Sequence, residues 1–267
     1  MPVFFAAFMI LSACKKDPPI ESEAAYDIIL VAGQSNTHQG IGYDPFLDYE
    51  DARVMQLGRT GSHNMKVVPA KEPLEHWSAL TDNIGFGLTF AKEYAKKYLT
   101  GNRRVLIIPC GCGQTGFASH QWNKGDGLYA DAVKRTLYAL ALNKNNKLAA
   151  ILWHQGENDL GWPYYQAALD STIINFRRDI TGDQRTLFIM GGMVPYWVLQ
   201  DGDAIAEQTI IANTPQRISN TGFANPYYPF AIHKENDSVI PQHYDARGQR
   251  ILGQRYFNVF DSLSTLH

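Results

Sequence analysis

Apolar residues gather in short unbroken runs, each stopped by glycine or by a polar turn. Ile28-Ile29-Leu30-Val31, Val105-Leu106-Ile107-Ile108 and the stretches 148–153 and 186–190 show no alternation of polar and apolar positions. Such runs read as strands buried on both faces of a parallel sheet. Between them, 85–98, 126–142 and 164–180 repeat their apolar residues at helical spacing, as do 205–213 and 245–260. A more polar strand at 53–57 belongs nearer a sheet edge. Strand, glycine-bearing turn and helix in alternation predict a single three-layer α/β/α domain over residues 26–267. The loops 37–50 and 58–83 and the aromatic, proline-broken loop 225–230 connect these elements.

Composition changes this picture little, except at the amino terminus. The 45% hydrophobic and 19% charged residues suit a soluble core, and a net charge of −2 offers no footprint for nucleic acid. The apolar run 4–11 is too short to span a bilayer and ends in Ser12-Ala13 before Cys14, as a signal-peptide core does. Leu11-Ser12-Ala13-Cys14 resembles a bacterial lipobox, which implies a signal peptide over 1–13, lipidation of Cys14 and an exported lipoprotein in the cell envelope. Residues 14–25 then read as a tether, and the membrane as a partner through the lipid anchor only. Cys110 and Cys112 stand too close for an unstrained bridge and have no Cys or His set to complete a zinc site, so neither a metal nor another cofactor is expected.

The chemistry gathers at strand ends. Ser35 follows the first strand in Gly33-Gln34-Ser35-Asn36; Gly111 and Gly113 follow the third; Gln155 and Glu157 follow the fourth. In a doubly wound sheet these carboxyl ends are neighbours, and ligands bind along that rim. His243, just before the last helix, is placed to reach over the same edge. A serine needs a base to become a nucleophile, and a base needs a carboxylate to favour its cation. Ser35, His243 and Glu157 supply these roles. The Ser35 N–H, the Gly113 N–H and the Gln155 amide are candidate oxyanion donors. Taken singly, each residue has a plainer reading as turn, loop or helix-start chemistry; their convergence favours catalysis. His154 reads as a packing residue beside the site, and His38, directly downstream of Ser35, is placed where it could touch substrate. Trp122, Trp162, Tyr164, Trp197, Tyr227 and Tyr228 fit either the core or a platform for a sugar ring.

Gly33 to Asn36, Cys112-Gly113-Gln114-Thr115 with Trp122 and the 125–129 segment, Trp153-His154-Gln155-Gly156-Glu157, and the 243–250 segment together resemble the SGNH-hydrolase superfamily. More narrowly they resemble the sialate O-acetylesterase group, with carbohydrate esterase family six and its acetylxylan esterases. The resemblance implies a flavodoxin-like fold, no metal, and a serine esterase that removes acetyl groups from carbohydrates. Many SGNH enzymes carry an aspartate three residues before the histidine; here Ile240 stands there. The third member must come from elsewhere: Glu157 first, with Asp237 and Asp245 as alternatives, Asp245 also suiting a helix N-cap. Gln114 replaces a glycine usual in the group. Two rival functions stay open, a non-catalytic glycan-binding lipoprotein on the same fold and a lipase or thioesterase of the same superfamily.

Overall fold

The computed structural model describes residues 24–78 and 80–265. The expected signal peptide and Cys14 lie outside the described residues, as does most of the tether.

In chain order the strands are β1 (Tyr26–Gly33), β2 (Gly40–Ile41), β3 (Val54–Leu57), β4 (Val67–Pro69), β5 (Asn83–Ile84), β6 (Arg104–Gly111), β7 (Lys147–His154), β8 (Leu187–Gly191) and β9 (Thr221–Ala224). The helices are α1 (Phe86–Tyr98), α2 (Gly127–Ala141), α3 (Tyr165–Ile180), α4 (Pro195–Val198), α5 (Gly202–Ala212), α6 (Thr214–Arg217) and α7 (Ala246–Ser264). Seven strands form one sheet in the order β4-β3-β6-β1-β7-β8-β9, parallel throughout except for β4, which runs antiparallel on β3. β2 and β5 pair separately.

The five strands β6-β1-β7-β8-β9 reproduce the flavodoxin-like order, with β3 and β4 added beyond β6. From β1 the chain crosses to β6 on one side and later to β7 on the other. The carboxyl end of β1 is therefore the switch point of the sheet, where adjacent connections diverge and leave a crevice.

The unbroken apolar run of β1 is explained by burial on both faces. Ile29 and Val31 pack with Phe86 and Phe90 of α1 and Leu252 and Tyr256 of α7. Ile28 and Leu30 pack with Ala132 of α2 and Ile173 and Phe176 of α3. Truncating a large one of these side chains, such as Ile29 or Leu30, to alanine costs about 2–5 kcal/mol. The structure adds β2, β4, β5 and β9 to the strands expected from apolar runs. β9 has no such run: in the edge strand Thr221-Gly222-Phe223-Ala224 only two apolar side chains follow a glycine that lies under Val259 of α7.

Candidate active site

β1 ends in a turn that only glycine can make here. Gly33 has φ +124°, and a Cβ on it would lie 2.0 Å from the His154 carbonyl oxygen at the end of β7. The Gln34 N–H donates to that oxygen at 2.8 Å, tying the turn to the neighbouring strand. Ser35 follows as the first residue of a helical turn, where its own N–H has no intrahelical acceptor.

The His243 Nε2 lies 3.0 Å from the Ser35 Oγ. These groups stand 208 residues apart in sequence, and Asn36 is what holds them together. The Asn36 Nδ2 donates to the Gln242 carbonyl at 2.9 Å, and its Oδ1 accepts the Tyr244 N–H at 3.1 Å. The bonds fall on either side of His243. The second Nδ2 hydrogen goes to Glu157 Oε1 at 2.5 Å. Asn36 is wholly buried, and its side-chain hydrogen-bonding groups are all engaged. Gln249 of α7 donates to the Asn36 carbonyl at 2.9 Å and fixes the backbone as well.

Glu157 joins the site from the loop after β7. Its Oε1 takes the Asn36 amide and lies 3.4 Å from His154 Nε2, while its Oε2 is buried without a hydrogen-bond partner. Burial pushes this carboxyl up, but His154 and the Asn36 amide outweigh it and hold Glu157 below the ordinary carboxylate range. Burial also lowers the His243 pKa below its ordinary value, against the opposing pull of the Glu157 charge. Burial thus favours the neutral His243 imidazole, while the Glu157 charge favours its cation.

None of the three candidate acids hydrogen-bonds to His243: Glu157 acts on it through its charge alone, and the other two are engaged elsewhere. The Asp245 Oδ1 accepts the Gly248 N–H at 2.7 Å and caps α7. Asp237 takes His233 Nδ1 at 2.8 Å and the Lys234 N–H at 2.9 Å. Of the three expected oxyanion donors, two face other groups. The Gln155 amide donates to Asp159 at 2.7 Å, and the Gly113 N–H faces the Ser78 Oγ at 3.1 Å. Gln114 adopts φ +60°, so this position keeps a glycine-type backbone without the glycine.

A cavity of about 400 Å³ lies over these residues, lined by Ser35, Gln39, Ser78, Gly113, Trp197 and His243 among others. Trp197 is the one proposed aromatic platform in this lining. Trp122 is core, edge-on to Trp153 at 5.1 Å, and Tyr164 and Tyr228 are exposed elsewhere. His154 is fully buried against Phe86 and Tyr244. Among the described residues no His, Cys, Asp and Glu cluster could hold a metal, and no helix is long and apolar enough to cross a membrane. Cys110 and Cys112 are free thiols. The reading from sequence missed Asn36, Gln39, Ser78 and His38 as cavity or positioning groups. Asn36 carried a signal, its place beside Ser35; the others depend on loop contacts that no local pattern encodes.

Residues 25–262 match the family described as carbohydrate esterase, sialic acid-specific acetylesterase. A probable 9-O-acetyl-N-acetylneuraminic acid deacetylase of Escherichia coli (strain K12) is 30% identical over 199 residues, covering 58% of this chain and 61% of that protein. A probable carbohydrate esterase of Arabidopsis thaliana is 31% identical over 101 residues, 36% of this chain and 37% of that protein. Both matches span less than two thirds of the relative's length. Among solved structures, NanS superposes with a TM-score of 0.79 at 19% identity, covering 91% of this chain and 98% of NanS. A carbohydrate acetylesterase from Xanthomonas citri does so at 0.65 and 16%, covering 90% and 57%. At these identities the likeness establishes the fold.

Proposed function

The chain belongs to the sialic acid-specific acetylesterase family of carbohydrate esterases, and on that premise we propose that it removes O-acetyl groups from carbohydrates through Ser35, His243 and Glu157. The observation that carries this reading is the 3.0 Å approach of His243 Nε2 to Ser35 Oγ inside the cavity. The Ser35 oxygen attacks the acetyl carbonyl as His243 takes its proton. The tetrahedral intermediate expels the sugar alkoxide, which receives that proton, and leaves an acetyl-enzyme. Water, deprotonated by His243, then releases acetate and restores Ser35. The Glu157 charge favours the imidazolium in both steps. The Ser35 N–H receives the oxyanion, and the Gly113 N–H shares its hydrogen between that oxygen and Ser78.

Among the described residues lining the cavity there is no lysine or arginine. Apart from Glu157, recognition next to the ester therefore rests on neutral polar groups and the Trp197 face, which suits acetylated xylan or the hydroxylated end of a sialic acid. The modest volume also favours a short acyl group over the long chain of a lipase or thioesterase substrate. Glycan binding without turnover is the other reading that Ile240 motivates.

The test is acetate release from acetylated xylan and 9-O-acetyl sialic acid, with fluorophosphonate labelling of the wild type and Ser35→Ala. Labelling at Ser35 and acetate release that vanishes in the variant support the proposal. Equal low rates and no label mean that the rim binds glycan without cleaving it. The proposal extends to a lipid-anchored envelope protein, on the Leu11–Cys14 motif; labelled palmitate carried by the wild type and lost in Cys14→Ala tests it.

A further inference from the structure

Near the Ser35–His243 pair, a second serine–histidine pair reaches the cavity through Ser78. The Ser78 Oγ lies 2.9 Å from His38 Nε2 and accepts the Gly113 N–H at 3.1 Å. His38 is buried and immobilised. It stacks on His76 at 4.8 Å, and His76 in turn accepts the Gly111 N–H at 2.8 Å. Resting on the esterase reading above, we propose that Ser78, oriented by His38, is a specificity-determining group that accepts a hydrogen bond from a free sugar hydroxyl adjacent to the ester being cleaved.

The hydrogen bonds give the direction. The Thr37 Oγ1 donates to the Gln34 carbonyl at 2.7 Å, so at 2.7 Å from His38 Nδ1 it is the acceptor. His38 then carries its hydrogen on Nδ1 and presents a lone pair at Nε2. Burial, the dominant influence, takes the His38 pKa down to about 4, so the ring stays neutral at working pH and is a weak base. The Ser78 hydroxyl spends its one hydrogen on that lone pair and one acceptor site on Gly113, which leaves one acceptor site. Such a group can receive a hydrogen bond and cannot give one. An acetyl ester carries no donor, whereas the sugar bearing it does. Ser78 stands one hydrogen bond from an oxyanion donor, so a hydroxyl bound to it sits next to the ester carbonyl.

The experiment compares a mono-acetylated glycoside that has a free vicinal hydroxyl with the same ester methylated at that oxygen. The kcat/KM ratio is measured for the wild type, Ser78→Ala and Ser78→Thr, with Ser35→Ala as the control. The wild type is expected to favour the free hydroxyl by about ten-fold, the worth of one neutral hydrogen bond. Ser78→Ala brings the ratio to about one through loss on the free-hydroxyl ester, and Ser78→Thr, which keeps the hydroxyl, restores it. A ratio unchanged in Ser78→Ala overturns the proposal alone. Equal falls on both esters also overturn it, since Ser78 would then serve the oxyanion. A wild type that cleaves neither ester overturns the esterase reading and the proposal together.

Discussion

Two buried carboxylates stand at opposite ends of the central strands and are treated very differently. At the amino end, Asp27 of β1 accepts Tyr94 Oη at 2.8 Å and Arg103 Nε at 2.8 Å, with Lys147 Nζ at 3.6 Å. At the carboxyl rim, Glu157 has the Asn36 amide on one oxygen and no hydrogen-bond partner on the other. A saturated carboxylate locks strands and loops together but has nothing left to offer a reaction. One with an open oxygen keeps its charge available to a neighbouring imidazolium. On the proposed function, the difference separates the end of the sheet that holds the fold from the end arranged for chemistry.

The comparison breaks most decisively if the rim turns out to be structural. Ser35→Ala is expected to lower kcat for acetate release by at least about a thousand-fold while changing stability by less than about 0.5 kcal/mol. Steady-state rates and urea denaturation read the two quantities. Asn36→Ala should lower kcat about a hundred-fold, because His243 loses the bonds on both sides of its loop. The same change leaves Gln242 and Tyr244 backbone groups unpaired and should lower stability by about 1–3 kcal/mol. Normal activity in that variant would remove Asn36 from the account.

Exchanging charge for amide at each end sharpens the contrast. Glu157→Gln should cost about ten-fold or more in kcat with stability changed by less than about 1 kcal/mol. Asp27→Asn should leave kcat intact and cost about 2 kcal/mol, less than a fully buried pair because Arg103 keeps some access to water. Calorimetry and rates on the two variants decide it, and a reversed pattern would undo the comparison. The smallest effect belongs to Asp245→Asn: asparagine caps a helix as well as aspartate does, so both stability and kcat should hold within about 0.5 kcal/mol.

The amino-acid pattern exposed the central strands because burial on both faces leaves an unbroken apolar run, as in Ile28 to Val31. It exposed the rim because strand, glycine and polar residue recur together at Gly33-Gln34-Ser35 and Gly156-Glu157. β9 escaped because an edge strand with only two apolar side chains after Gly222 has no such run. Ser78 and His38 escaped because their meeting joins residues 40 apart through a loop without periodicity. The partners of Gln155 and Glu157 escaped for a related reason. Which of several nearby polar atoms a side chain chooses is settled by packing, and Asp159, four residues on, captures the Gln155 amide that was expected at the oxyanion.

The most direct test of the account is the pH dependence of kcat/KM for Glu157→Gln beside the wild type. On the proposed mechanism activity requires neutral His243, so it should fall as pH drops through the His243 pKa, which burial sets below the ordinary histidine value. The Glu157 charge raises that pKa, and neutralising it removes the upward pull. The account predicts that the acid limb moves to lower pH in Glu157→Gln and stays in place in Asp245→Asn. A limb that ignores Glu157, or one that follows Asp245, would contradict the assignment of Glu157 as the charge that serves His243.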